Sequence, residues 1–337
     1  MPEADCPIIA VLGATGNQGG GVIRALLARH PNEFHIRAIT RDSASPRAQS
    51  LIQDHNVVSK MSICQANVDD EESLRRAFEN AWGVFAVTNH RASNGAINSE
   101  KDLLHELTAG QNIISAAQHC KVQHFVISSL PNIARASDGR FKKVYHFDHK
   151  SQIEEAARSC LPSVTALLPG LFYTNMFWSQ YCRREDNGNV RFCAAVSGDT
   201  VTEWADPCHD IGLYASEVFA RGPEVTRSQR YPVTGPKIPF DAFPDLFTKV
   251  TGQPAIFEPI TMGEWGEIVA ARVGQGFEED IRQMAQWISV APVEKICYGT
   301  INSSQDLSYE HLGLKASTFE DWLCRTRWNG PPRGQGI

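Results

Sequence analysis

Three stretches of the chain carry residues whose types and spacing could do chemistry. The first is Gly13-Ala14-Thr15-Gly16-Asn17-Gln18-Gly19, with glycines at GxxGxxG spacing. Between a strand and a helix, such glycines let the backbone turn sharply and come close to a pyrophosphate. They also let the helix pack against the strand, with its first amides facing the phosphates. The second is Ile39-Thr40-Arg41-Asp42-Ser43. An acid at the end of a second strand would accept from a ribose 2′-hydroxyl, whereas a cation would neutralise a 2′-phosphate. Arg41 stands where the acid is expected, and its planar fork can bond two oxygens at once. Arg47 and Ser43 lie near enough in sequence to assist. NADP(H) is favoured on this reading, while Asp42 leaves open an ion pair with Arg41 or an NAD-type contact. The third stretch is Tyr145-His146-Phe147-Asp148-His149-Lys150. An imidazole such as that of His146 is the side chain suited to giving up a proton near neutral pH. Lys150 could do the same if burial lowered its pKa.

Short apolar runs alternate with helical patterns through the first half, as they do in βαβ units around a parallel sheet. The runs are residues 8–12, 35–40, 60–65, 84–88, 124–128 and 163–168, continuous and rich in β-branched residues as strands covered on both faces should be. Helical spacing marks 18–29, 44–54, 71–80, 99–120 and 147–158. The longest of these has a stripe of Leu103, Leu104, Leu107, Ile113, Ile114 and Ala117 that would pack on the sheet. The expected architecture is α/β, a Rossmann-type doubly wound parallel sheet, with a smaller α+β C-terminal substrate domain. Residues 7–169 plus roughly 206–236 (a helix over 210–220 and a strand over 230–233) would form the first domain, and 170–205 with 237–328 the cap. A tail over 329–337 is expected to fray. The aromatics at 172–204 would be either cap core or the wall of an apolar pocket, and Asp186-Asn187-Gly188-Asn189 a turn.

Composition narrows the class without naming a chemistry. The 337 residues carry 32 Lys+Arg against 38 Asp+Glu, a net charge of −6, so no basic excess points to nucleic acid. No run approaches the ~18 apolar residues of a membrane span, and the acidic N-terminus does not resemble a targeting segment. Nine scattered cysteines without a CxxC read as reduced thiols, mostly in the core, of a cytoplasmic protein. His119, His124, His146, His149 and His209 lack metal-ligand spacing, so no metal is expected. Cys208, between Asp206 and His209-Asp210, has no activating partner for a catalytic thiol.

Beyond these readings, a set of segments in this order resembles the NmrA-like family of atypical short-chain dehydrogenases. They are GATGNQGG, ITRD, VTNH at 87–90, SSLPNI at 128–133, HFDHK at 146–150, LLPGLFYTNM at 167–176 and the terminal TFEDWL. The likeness runs from about residue 7 to 326. It implies a Rossmann domain with NADP(H) in the cleft beside a smaller domain. By position, Gly13, Thr15, Gly16, Asn17, Gln18 and Gly19 would hold the pyrophosphate and Arg41 the 2′-phosphate. Asn67 and Val68 would flank the adenine, and Thr88 and Asn89 would pass near the nicotinamide ribose. Lys150 would bond that ribose, with Pro169, Phe172, Tyr173 and Asn175 lining the nicotinamide end.

Family members include quinone reductases, enzymes of secondary metabolism and regulators that sense NADPH with little catalysis. A typical short-chain dehydrogenase donates its proton from the tyrosine of YxxxK, where i,i+4 spacing sets both side chains on one helix face. Here Tyr145 lies five residues before Lys150, about a hundred degrees out of register, and His146 takes the i−4 place. His146 and Lys150 are therefore the candidate proton donors. Ser128 and Ser129 stand where a substrate-orienting hydroxyl is found, or where a strand end satisfies its own backbone. The leading expectation is an NADPH-dependent reductase acting on a carbonyl, quinone, imine or conjugated alkene of a small hydrophobic or aromatic substrate. The rivals are a sensor with a protein partner and a non-redox enzyme on the same fold.

Overall fold

In the computed structural model, residues 6–55, 60–89 and 95–332 are described. Seven parallel strands form one sheet: β1 (Ile8–Val11), β2 (His35–Thr40), β3 (Met61–Gln65), β4 (Ala81–Val87), β5 (His124–Ser128), β6 (Val164–Pro169) and β7 (Arg230–Val233). Their spatial order is β7-β6-β5-β4-β1-β2-β3, and every pairing is parallel. The order reverses between β1 and β4, the crevice where doubly wound sheets bind ligands. β1, β5 and β6 are buried almost end to end, while edge strand β3 is buried only at Met61.

Helices α1 (Asn17–Arg29), α2 (Pro46–His55), α3 (Glu71–Phe78), α4 (His105–His119), α5 (Tyr145–Cys160) and α6 (Asp210–Arg221) accompany the strands. Most boundaries agree with the periodicity, and the departures have local causes. Asn80 adopts φ 58° right after α3, so the chain reverses at once and β4 starts at Ala81 rather than residue 84. A 3₁₀ turn over Glu100–Leu104 precedes α4 and shifts the phase of the stripe. Leu103 stays buried while Leu104 is turned out to 53% exposure. Helix α5 begins two residues early and carries Tyr145 and His146.

The later part of the chain adds α7 (Phe243–Thr251), α8 (Met262–Val273), α9 (Glu278–Val290) and α10 (Phe319–Thr326). Cys182–Arg184 and Val190–Phe192 form an antiparallel hairpin around the expected turn, where Gly188 has φ 93°. Tyr173, Tyr181, Phe192, Trp204, Phe243, Phe319 and Trp322 share one core. The tail is not wholly frayed: Arg184 donates to the carbonyls of Asn329 (2.6 Å) and Pro331 (2.7 Å), and 333–337 lie outside the described residues. Only Cys182, Cys193 and Cys297 are buried, so the expectation of core cysteines holds for these three. No helix among the described residues is long and apolar enough to cross a membrane.

His124, on β5, makes part of the sheet acid-sensitive. It is fully buried against Trp82 and Phe219. The Thr226 hydroxyl gives its hydrogen to Gly222 O, so His124 Nε2 donates to Thr226 Oγ1 (3.1 Å), while Nδ1 has no partner. Burial pushes the pKa down from 6.5 to about 4. The native state therefore binds fewer protons than the unfolded chain between these values. Stability is lost as pH falls through that window, by about 3 kcal/mol from this group. Urea unfolding against pH is expected to show a shallower acid limb for His124→Phe than for wild type.

Candidate functional site

One cavity of about 890 Å³ opens at the carboxyl end of the sheet, at the β1–β4 switch. At one end lies the loop between β1 and α1. Gly13 takes φ +66° and its carbonyl accepts from Gly16 N–H at 2.8 Å. Leu12 N–H reaches Phe85 O and Ala14 N–H reaches Ile39 O, stitching the loop to β4 and β2. Gly13, Thr15, Gly16, Asn17, Gln18 and Gly19 all line the cavity. A Cβ on Gly19 would stand 2.3 Å from Gly13 O, so the helix can start this close to the strand only with glycine there. The N-cap residue of α1, Gly16, offers no side-chain cap, and the first turn holds no acidic residue. The orphan amides of this 13-residue helix suit an anion.

Arg41 follows β2 directly and lines the same cavity, exposed and without a hydrogen bond to another described residue. Its rival is committed elsewhere: Asp42 Oδ1 accepts Ala44 N–H at 2.9 Å, and Asp42 is absent from the cavity wall. Ser43 donates to Gln65 Oε1 at 3.0 Å, and neither it nor Arg47 reaches the wall. Val68 lines the cavity, but Asn67 does not. Asn67 instead builds the turn before α3, its amide donating to Ser73 Oγ and its Oδ1 accepting from Asp69 N–H.

Mid-cavity, Thr88 and Asn89 follow β4, and Lys150 arrives from α5. His90, the last residue of VTNH, lies outside the described residues. Lys150 Nζ donates to Glu106 Oε1, to Thr88 O (3.1 Å) and to Thr88 Oγ1 (3.3 Å). The Thr88 hydroxyl gives its own hydrogen to Glu106 Oε1 at 2.6 Å. Ser128 and Ser129 are also on the wall, with Ser129 Oγ near Leu130 O and Lys150 O.

His146 lines the cavity and is tied to Asp280 on α9. Its amide donates to Asp280 Oδ2 at 2.9 Å, and its Nδ1 meets Asp280 Oδ1. The side chain of Asp280 is fully buried. Tyr145 is off the wall: its hydroxyl donates to Glu100 Oε2 at 3.0 Å. Asp148 Oδ1 accepts from the amides of Ile133 and Ala134, and His149 is buried with its pKa pushed down by desolvation.

Pro169, Phe172 and Asn175 line the far end, but Tyr173 does not. A 3₁₀ turn over Tyr173–Phe177 rotates Tyr173 into the aromatic core, wholly buried against Trp204 and Trp322, with its hydroxyl on Ser317 O at 3.1 Å. The rest of this end is mostly apolar, with Leu130, Trp178, Val269, Phe277, Ile281 and Met284, and the buried Gln180 adds one polar side chain. Tyr298 joins it, edge-on to Phe147 at 4.7 Å, with burial pushing its phenol pKa up. The aromatics at 172–204 thus divide between core (Tyr173, Phe192, Trp204) and wall (Phe172, Trp178), Phe177 being exposed.

Glu106 and Asp280 were not anticipated. Glu106 shares the spacing of the buried stripe of α4, with Leu103, Gly110 and Ile113, and a carboxylate on such a face signals a buried partner. Asp280 carries no comparable signal, because its partner is 134 residues away. Among the described residues no three His, Cys, Asp or Glu side chains gather as a metal site. Burial raises the Cys208 thiol pKa, opposite to what a nucleophile needs.

A model of the NmrA-like family matches residues 7–323. The chain belongs to the NmrA-like family. One relative, the NmrA-like family domain-containing oxidoreductase malD of Malbranchea aurantiaca, is 25% identical over 94% of this chain and 95% of its own length. Among solved structures, the negative transcriptional regulator NmrA in complex with NAD superposes with a TM-score of 0.72 at 18% identity, covering 98% and 93% of the two chains. The triphenylmethane reductase of Citrobacter sp. complexed with NADP(H) gives 0.68 at 18% identity, covering 95% and 99%. These two likenesses concern the fold. In this NmrA-like chain, the HFDHK segment places His146, Phe147 and Lys150 on the wall and uses Asp148 as a cap. PGLFYTN contributes every residue to the wall except Tyr173 and Thr174.

Proposed function

We propose that this chain is an NADPH-dependent reductase of a hydrophobic small molecule. The observation that carries this reading is the continuity of one cavity. It runs from an uncapped, glycine-built helix start and Arg41, past Lys150, to an apolar chamber beside the His146–Asp280 pair. The residues fit a dinucleotide phosphate: the loop leaves no room for a Cβ, the amides are uncapped, and Arg41 has no other described partner. Loop amides would hold the pyrophosphate, Arg41 the 2′-phosphate, Val68 the adenine side and Lys150 the nicotinamide ribose. Bound there, the reduced nicotinamide supplies hydride.

His146 supplies the proton on this account. Asp280 accepts from Nδ1–H and fixes the ring, which directs transfer through Nε2. Segments 170–205 and 237–328 serve as the substrate-binding part, with Trp178, Phe277, Ile281 and Met284 excluding water from the transfer. The sensor reading draws on the absence of a tyrosine in register, Tyr145 being engaged by Glu100. A panel of quinones and aromatic carbonyls separates the two. Oxidation of NADPH by at least one compound supports the reductase. Tight NADPH binding without turnover, and partner capture that differs between apo and loaded protein, would favour the sensor.

Arg41 carries the cofactor choice. Charge-assisted bonds to a phosphate contribute roughly 1.5–3 kcal/mol, less when exposed as here. Arg41→Ala is expected to weaken NADPH binding about tenfold while leaving NADH nearly unchanged, as read by equilibrium titration. Equal weakening of both would remove Arg41 from the phosphate site.

A further inference from the structure

An ammonium has three N–H bonds to give. Lys150 spends all three: on Glu106 Oε1, on Thr88 O at 3.1 Å and on Thr88 Oγ1 at 3.3 Å. A ribose hydroxyl can reach Lys150 only if one of these is released. We propose that Glu106 is the positioning residue of the cofactor site, holding Lys150 in place as a paired ammonium, and that Thr88 is the partner Lys150 gives up when a ribose arrives. This role rests on the cofactor reading above.

Burial decides which partner stays. The Glu106 side chain is fully buried, and the side chain of Lys150 is 14% exposed. Separating them would leave a buried carboxylate without its cation, which is far costlier than losing a long bond to a neutral hydroxyl. The Thr88 hydroxyl already gives its hydrogen to Glu106, so it loses only an accepted bond when Lys150 turns.

Among the described residues the surroundings offer no substitute cation. From α5, Lys150 and His149 face Glu106, and burial keeps His149 neutral near pH 7. On its own helix the neighbouring His105 is paired with Asp69. Thr88 comes from the end of β4, and Asp280 of α9 lies beyond His149. Lys150 is the one cation bonded to Glu106 among the described residues.

The test is the NADPH dissociation constant as a function of pH for wild type, Glu106→Gln, Lys150→Met and the double variant. Each variant is divided by wild type, so ionisation of the nucleotide itself cancels. Glu106→Gln leaves Lys150 its Thr88 acceptors but removes the one carboxylate bonded to it, so this mostly buried ammonium gives up its proton more readily. Glu106→Gln should therefore bind NADPH about tenfold more weakly, with the deficit widening as pH rises through neutrality. Lys150→Met should be weaker by a pH-independent factor, and the double variant no weaker than Lys150→Met alone. The double variant, which removes both charges, should also melt higher than Lys150→Met, which strands Glu106. Wild-type behaviour of Glu106→Gln would overturn the proposal. So would a pH-independent deficit that adds to that of Lys150→Met. Failure of wild type to bind NADPH would overturn the cofactor reading and this role with it, whereas the other two outcomes leave that reading standing.

Discussion

His146→Gln is expected to slow turnover of any accepted substrate by about 10²- to 10⁴-fold, the usual contribution of a positioned proton donor. Glutamine keeps an N–H for Asp280, so the buried carboxylate retains a partner and the fold is spared the penalty of an unpaired charge. NADPH affinity should stay near wild type, because His146 lies toward the apolar end and the phosphate groups of the account lie at the loop. The loss should therefore fall on kcat. A variant with unchanged kcat would take the proton away from His146. Lys150 is the less suitable donor, since its three N–H bonds are already engaged by Glu106 and Thr88.

Gly19→Ala is the second large effect, and it acts through backbone. The new Cβ would lie 2.3 Å from Gly13 O and 2.6 Å from both Gly13 C and Leu12 O. None of these atoms belongs to a side chain that could swing away, so the loop must open or α1 must retreat from β1. Either movement carries the amides off the pyrophosphate position. NADPH binding should fall by two orders of magnitude or more, and overpacking of this kind costs about 1–3 kcal/mol of stability. Gly263→Ala on α8 is the matched control. Its Cβ would meet nothing closer than 3.6 Å, and alanine in a helix is favoured by up to about 1 kcal/mol. Binding by Gly19→Ala at wild-type strength would show that the loop has no part in the cofactor site.

Much of the sheet was legible because parallel strands buried on both faces are continuous apolar runs. β2 and β5 begin and end where the sequence placed them, and β7 returns to pair with β6. What escaped is set by turns and distant partners. A left-handed Asn80 moved the start of β4, and a 3₁₀ turn put Leu104 in solvent. Another 3₁₀ turn buried Tyr173 away from the cavity it was expected to line. Asn67 was drawn into a turn by Ser73. In the candidate site, the loop and Arg41 could be read because their chemistry is local to one strand–helix junction. Asp280, which holds His146 from behind the wall, and Tyr298, which is on the wall, could not, because both come from beyond residue 270 and nothing local marks them. Glu106 was within reach, as a carboxylate in phase with a buried stripe.

The division into sensor or reductase matters less than a prior question, whether the cavity takes a nicotinamide dinucleotide phosphate at all. Titration of the unmodified chain with NADPH and with NADH, followed by calorimetry, answers it directly. Saturable one-to-one binding is predicted, with NADPH tighter by at least about tenfold through Arg41. Equal affinity for the two nucleotides, or no binding of either, would contradict the account.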